Sequence, residues 1–172
     1  MTLEILKYPD KRLRNRCEPV QDFGAEFQTE IEQMFETMYA APGVGLAAIQ
    51  VGIFKRFFVM DVGISEGEVI KRNPMVIANP NIILKEGEVV WEEGCLSCPD
   101  LIIPMTRAKK IEIEYQDRNG KKEKLTAEDL MSVCIQHEMD HMNGILIVDQ
   151  LSRLKQDFYK KKLKKSDTPV IR

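Results

Sequence analysis

The stretch TAEDLMSVCIQHEMDHMNG, residues 126–144, decides how this chain is read. Leu130, Val133 and Cys134 share one helical face with His137 and His141, because positions three and four apart stack above one another on an α-helix. The spacing predicts a helix opened by Thr126 and Asp129 as a capping pair, with its histidine-bearing face buried. The chain has only two histidines, and both fall in His137-Glu138-Met139-Asp140-His141. At i and i+4 both imidazoles can meet one cation, with Glu138 placed to reach a water on it. Two incidental histidines would also satisfy the pattern. Unpaired imidazoles on a buried face are costly, however, which favours the metal reading.

A metal hydrolase needs three protein ligands and one open position. After His141 the chain has no Glu and no further His, only aspartates such as Asp149, so the common metalloprotease arrangements fit poorly. Upstream, Glu93-Gly94-Cys95-Leu96-Ser97 offers a cysteine beside a glycine in a turn-prone segment, and Cys95 becomes the candidate third ligand. Cys98 completes Cys95-x-x-Cys98, which also admits a zinc knuckle or a redox pair. A knuckle needs two more ligands, and using the histidines would close the position that water requires. Cys98 is therefore read as a small buried or half-buried side chain beside a metal-bound thiol, in a site prone to oxidation.

Further out, Phe27, Ile31, Met34, Phe35 and Met38 recur at helical spacing from Ala25 to Ala40, and Pro42-Gly43 ends that helix. Short runs at 57–61, 75–79, 88–91 and 111–115 read as strands. Asp117-Arg118-Asn119-Gly120 reads as a hairpin turn on the strength of Asn-Gly, with 122–125 as the return strand. After Asp149 a third helix is expected, with Leu151, Leu154, Phe158 and Leu163 as its apolar stripe under a basic outer face. Helix, strands, then helices give an α+β fold, with mixed or antiparallel β-sheets around a central metal-binding helix and a C-terminal helix. At 172 residues one domain is expected, a catalytic core over 1–149 with 150–172 as C-terminal helix and basic tail.

A composition of 44% hydrophobic and 30% charged residues is that of a soluble globular chain. No run reaches the roughly 18 apolar residues of a membrane span, and Met1-Thr2-Leu3-Glu4 does not open a secretory leader, so no membrane is expected and the location is read as cytoplasmic. In that compartment Cys17, Cys95, Cys98 and Cys134 are reduced thiols and not a disulfide framework. The formal charge of −2 hides seven Lys/Arg against one Asp between Arg153 and Lys165. The remaining body is acidic, which argues against broad nucleic-acid binding and against a specific DNA partner.

Three segments together resemble the signature motifs of the peptide deformylases, in that family's order: Gly43-Val44-Gly45-Leu46-Ala47-Ala48-Ile49-Gln50, Glu93-Gly94-Cys95-Leu96-Ser97, and Gln136-His137-Glu138-Met139-Asp140-His141-Met142-Asn143-Gly144. Ile5-Leu6 through Pro9-Asp10, Leu13-Arg14 and Pro19-Val20 extend the resemblance over most of the chain. It implies removal of the formyl group from the N-terminal formylmethionine of nascent proteins, releasing formate. It implies that Cys95, His137 and His141 bind one ion per chain, Fe²⁺ in bacterial members with Zn²⁺, Ni²⁺ or Co²⁺ able to substitute. Glu138 would be general base and acid, while Gln50 and the backbone N–H of Leu96 would hold the developing oxyanion. These roles are physically coherent, since a cation acidifies water, a carboxylate moves the proton and fixed donors stabilise charge on the carbonyl oxygen.

Val44 and Gly45 on one side and Glu93 and Gly94 on the other are expected beside the peptide. Val44, Leu130, Val133 and Cys134 are candidates for the methionine pocket, Leu130 being equally readable as ordinary core. The resemblance also implies ribosome docking through Lys160, Lys161, Lys162, Lys164 and Lys165, against the plainer reading of a solvated helix face. Met142 stands where leucine is usual, a volume-conserving change. The 100–107 segment lacks the arginine that often follows the cysteine motif, leaving Arg107 either as the cation for a substrate carboxylate or formate, or as solvated surface. Two rivals share these motifs. One is a small metallopeptidase using the same helix, the other a non-enzymatic module in which zinc holds the fold and the basic tail binds RNA or another partner.

Overall fold

Phe57-Phe58-Val59-Met60 is apolar and buried at every position instead of at alternate ones, which in a strand means that both faces are covered. The computed structural model, which describes residues 1–166, shows what covers them. In chain order the elements are α1 (Ala25–Ala40), β1 (Gly45–Ala47), β2 (Phe57–Met60), β3 (Ile64–Glu66), β4 (Val69–Lys71), β5 (Met75–Glu86), β6 (Val89–Cys95), β7 (Cys98–Arg107), β8 (Lys110–Gln116), β9 (Lys122–Glu128), α2 (Asp129–Met142) and α3 (Arg153–Ser166). A five-stranded sheet runs β1-β2-β5-β8-β9, and β3–β4 and β6–β7 form separate hairpins, all antiparallel. Phe57 and Val59 pack with Phe27, Ile31, Met34 and Met38 of α1. Phe58 and Met60 join Ile111, Ile113 and, from α2, Cys134, Ile135 and Met142. The α+β architecture around a central helix is thus as expected, with antiparallel sheets.

Details differ where tertiary pairing outweighs local signals. Thr126 caps nothing, because the β8–β9 ladder continues to Glu128; Asp129 enters α2 at φ 52° with its N–H on the Lys109 carbonyl. The helix is anchored further along, where Ser132 Oγ (2.8 Å) and Gln136 Nε2 (2.9 Å) donate to the Ala108 carbonyl and the Ala108 N–H donates to Gln136 Oε1 (3.1 Å). These bonds satisfy polar side chains inside the core and pin the phase of α2 to the β7–β8 corner. In the 117–120 turn Gly120, and not Asn119, takes the positive φ of 80°.

The apolar stripe of α3 also differs. Tyr159 is buried, donating from its hydroxyl to the Pro99 carbonyl (2.6 Å) and stacking on Tyr8, and Leu163 packs against the same cluster. That anchor sets the helix phase and turns Leu154 and Phe158 outward, 67% and 63% exposed. Residues 167–172 of the expected basic tail lie outside the described residues. Among the described residues no helix is long and apolar enough to cross a membrane.

Candidate metal centre

Leu96-Ser97 joins β6 to β7, so Cys95 and Cys98 close that hairpin as directly paired residues. The turn is fixed from outside: the Tyr8 N–H donates to the Ser97 carbonyl (2.8 Å), and Gln50 Nε2 donates to Ser97 Oγ (3.0 Å). Meanwhile α2 carries two imidazoles to the same point. Cys95 Sγ lies 3.3 Å from His141 Nε2, which lies 3.2 Å from His137 Nε2, and the three atoms are all within 4.8 Å of one another. Tetrahedral ligands at about 2.0–2.1 Å for nitrogen and about 2.3 Å for sulfur sit roughly 3.3–3.6 Å apart, so this spacing fits a divalent cation with one position left for water. No other group of three His, Cys, Asp or Glu donors converges in this way among the described residues.

The protonation pattern follows from the partners. His137 Nδ1 is 2.8 Å from Glu93 Oε1, a pure acceptor, so Nδ1 carries the proton and Nε2 presents its lone pair to the centre. Glu93 is itself clamped by Arg107 (Nε 2.8 Å, Nη2 2.9 Å), whose Nη1 reaches Asp140 (2.6 Å). Arg107 is therefore neither solvated surface nor open to a substrate anion. Glu93, expected beside the peptide, borders the cleft while its carboxylate bonds His137 and Arg107. Without a cation the Cys98 thiol, donating to Cys95, holds Cys95 well below the usual thiol range, helped by the imidazoles and against burial. Burial pulls His137 down, yet its bonds to Cys95 and Glu93 win and push it up to about 10. Positive charge is thus favoured at this point, and a divalent cation would supply it while displacing the proton.

Glu138 is 4% exposed, and its Oε2 has no hydrogen-bond partner. Burial raises its pKa, with His137 and His141 pulling the other way. An unmet buried carboxylate oxygen costs about 1–3 kcal/mol or more, a sign that it is kept for a water or substrate atom. Nδ1 of His141 is likewise buried and unpartnered, which nothing in the structure explains. Gln50 is oriented without ambiguity: Oε1 accepts from the Ala47 N–H (2.9 Å), so its NH₂ group faces Ser97 and Cys95 Sγ (3.7 Å).

These groups open into a cleft of about 430 Å³. Val44, Gly45, Gly94, Leu96, Leu130 and Cys134 line it, together with Cys95, His137, Glu138, Gln50 and Glu93. Val133, also expected in the methionine pocket, is buried and is not among the residues that line the cleft. A wider groove of about 600 Å³ around Phe35, Tyr39 and Arg72 holds no comparable set of groups. β1 is bonded on one side only, to β2, so one edge of its backbone stays unpaired near Gly45. A Cβ on Gly45 would sit 2.9 Å from both Glu138 Oε1 and Cys134 Sγ. Gly45→Ala is accordingly expected to displace Glu138 and lower kcat by about 10- to 100-fold with bound metal unchanged, measured by turnover and metal content on the same preparation.

Sequence reasoning missed Ser97, Asp140 and the structural role of Arg107. An imidazole ligand generally needs an acceptor for its second nitrogen, but only the folded hairpin shows that Glu93 supplies it.

Comparison with known proteins adds the family context. A family model described as polypeptide deformylase matches residues 2–157. A peptide deformylase of Chromobacterium violaceum is 49% identical over 165 residues, 96% of each chain. The crystal structure of a peptide deformylase from Legionella pneumophila superposes with a TM-score of 0.87 at 42% identity, covering 98% of this chain and all (100%) of the other. A peptide deformylase from Ehrlichia chaffeensis, solved in complex with actinonin, gives 0.89 at 38% identity, covering 98% and 99%.

Proposed function

The chain belongs to the peptide deformylase family of metal-dependent hydrolases, which remove formyl groups from peptides, and on that premise we propose how its own residues divide the reaction. Cys95, His137 and His141 hold one divalent cation, and a cation there supplies Lewis acidity, making a water beside Glu138 ionisable near neutral pH and polarising a carbonyl. Glu138 accepts a proton from that water through its unpartnered oxygen, freeing the water oxygen to attack the formyl carbon. Its burial-raised pKa suits it to give the proton back, which it does at the leaving nitrogen, and formate departs from a free methionyl terminus. Gln50 Nε2 and the Leu96 N–H donate to the formyl oxygen as it gains charge. Glu93, locked by Arg107, orients His137 and keeps its second nitrogen protonated. Val44, Gly45 and Gly94 border the peptide, with Leu130 and Cys134 beside the methionine side chain. The observation that carries this reading is the convergence of one sulfur and two ring nitrogens beside a carboxylate oxygen that no protein group satisfies.

The ion is read as Fe²⁺, replaceable by Zn²⁺, Ni²⁺ or Co²⁺, one per chain. Protein purified without oxygen should contain iron and release formate from formyl-Met-Ala-Ser, leaving acetyl-Met-Ala-Ser and the internal bonds of Met-Ala-Ser intact. Internal cleavage at an equal rate would replace the assignment with a metallopeptidase, and full activity in protein found to hold only zinc would overturn the choice of iron.

The substrate is the nascent chain in the cytoplasm. Residues 1–149 carry the chemistry, while α3 and the tail within 150–172 dock on the ribosome through Lys160, Lys161, Lys162, Lys164 and Lys165. Because Tyr159 is core, removing α3 would confound that test. Lys160, Lys161 and Lys165 changed together to Glu should instead weaken ribosome binding by 10-fold or more, roughly what losing several phosphate contacts costs, with tripeptide turnover retained. Unchanged binding across a salt titration would leave α3 as a solvated helix.

A further inference from the structure

We propose that Cys95 and Cys98 form a site of oxidative modification, in which a peroxide converts the pair to a disulfide that withdraws Cys95 from the metal and a dithiol reductant restores it. The two residues are direct partners at the closed end of the β6–β7 hairpin. Opposed residues on paired strands project to one face with Cβ atoms about 4.5–5.5 Å apart, and a disulfide needs about 3.5–4.5 Å, so closure asks for a shift of about 1 Å. Both residues border the same cleft, so the two thiols lie on one side of the hairpin end. Ser97, between them, is held by Tyr8 and Gln50, which keeps the pair facing.

Access is unequal within the pair. Both side chains border the cleft, but Cys95 is the more exposed and Cys98 only 1% so, packed among Leu6, Tyr8, Ile147 and Val148. Peroxide therefore meets Cys95 first. One oxygen inserts to give Cys95–SOH with loss of water; the Cys98 sulfur then attacks it, forming the S–S bond and releasing a second water. Two thiols and one peroxide give one disulfide and two waters, sulfur losing the two electrons that the peroxide gains. The remaining thiol in the cleft, Cys134, faces the Val44 carbonyl at 3.9 Å and is not the partner of Cys95 in the hairpin. A sulfenic acid with no resolving thiol proceeds to sulfinic acid, which dithiols do not reduce, so Cys98 turns a permanent lesion into a reversible one.

Metal release rests on the ligand role given to Cys95 above, whereas the disulfide itself does not. The test uses the full chain loaded with Zn²⁺, which has no redox chemistry of its own, titrated with hydrogen peroxide and then alkylated. In the wild type the peptide bearing Cys95 and Cys98 should lose two hydrogens and resist alkylation. One zinc per chain should be released, and dithiol should reverse both changes. In Cys98→Val and Cys98→Ser, Cys95 should instead gain two oxygens, with zinc rebinding after dithiol reduced to about a tenth or less of the wild-type recovery. Sulfinic acid at Cys95 of the wild type as fast as in the variants, or a disulfide to Cys134, would overturn the proposal. A Cys95–Cys98 disulfide with zinc still bound would overturn the release step and, separately, the place of Cys95 among the ligands.

Discussion

Glu138→Ala is expected to lower kcat for a formylated methionyl peptide about 10²–10⁴-fold, toward the upper end because the proposed mechanism uses this one carboxylate as both base and acid. The same substitution should leave the fold intact and the metal bound. Glu138 has no cationic hydrogen-bond partner, its Oε2 has no hydrogen-bond partner, and burial, with Cys95 adding to it, raises its pKa against the pull of the two imidazoles, so in the resting protein it is a desolvated group that stabilises little. Thermal unfolding of the variant should accordingly match or exceed that of the wild type. Glu138→Gln, which keeps the shape, should lose turnover to a similar degree. Retained turnover in either variant would remove Glu138 from the chemistry, and a retained rate with retained metal would favour a structural site.

Arg107→Met should have the largest effect on stability, about 3–5 kcal/mol, since it strands the Glu93 carboxylate in the interior. For a chain of this size that corresponds to a fall in Tm of roughly 10 °C. The pH dependence has a definite sign. In the wild type burial raises the Glu93 pKa, but Arg107 and then His137 outweigh it and the net shift is downward. With Arg107 gone burial wins, the folded pKa rises above the unfolded value, and the folded variant binds more protons than the unfolded chain. Its stability should therefore fall relative to wild type as pH rises from about 5 to 8. Glu93→Leu combined with Arg107→Met should recover most of the stability, because a buried ion pair exchanged for apolar groups is often close to neutral. Metal affinity should not recover with it and should remain about 10- to 100-fold weaker, since His137 Nδ1 has lost its acceptor. Metal competition titrations beside denaturant melts separate the two effects, and a double variant that regained both would show Glu93 to be packing alone.

What could be read in the sequence was what depends on short, regular spacing. The α1 stripe from Phe27 to Met38 and the histidine pair on α2 repeat with the helix period, and the structure places both as expected. The union of Cys95 with the histidines was reachable because few other ligands were left to choose. Relations that depend on pairing across the fold were hidden. Nothing near Thr126 announces that β9 continues to Glu128, since the partner that extends it is β8. The phase of α3 is set by Tyr159 meeting Pro99 and Tyr8, so of the expected stripe Leu151 and Leu163 pack inward while Leu154 and Phe158 face out. Arg107 read as a surface cation because its two acid partners are 14 and 33 residues distant.

β1 is the edge strand of its sheet and Gly45 lines the cleft, so a short row of backbone groups on its outer side, the Ala47 N–H excepted, is open beside the site. Any extended polypeptide can match such a row, whatever its composition, because every residue except proline brings the same complement. On the proposed function, such a catalyst would take its grip from what all clients share and leave discrimination to the first side chain and its one-carbon cap. Breadth across many clients would then follow from a missing neighbour strand, with no need for a large or adaptable pocket.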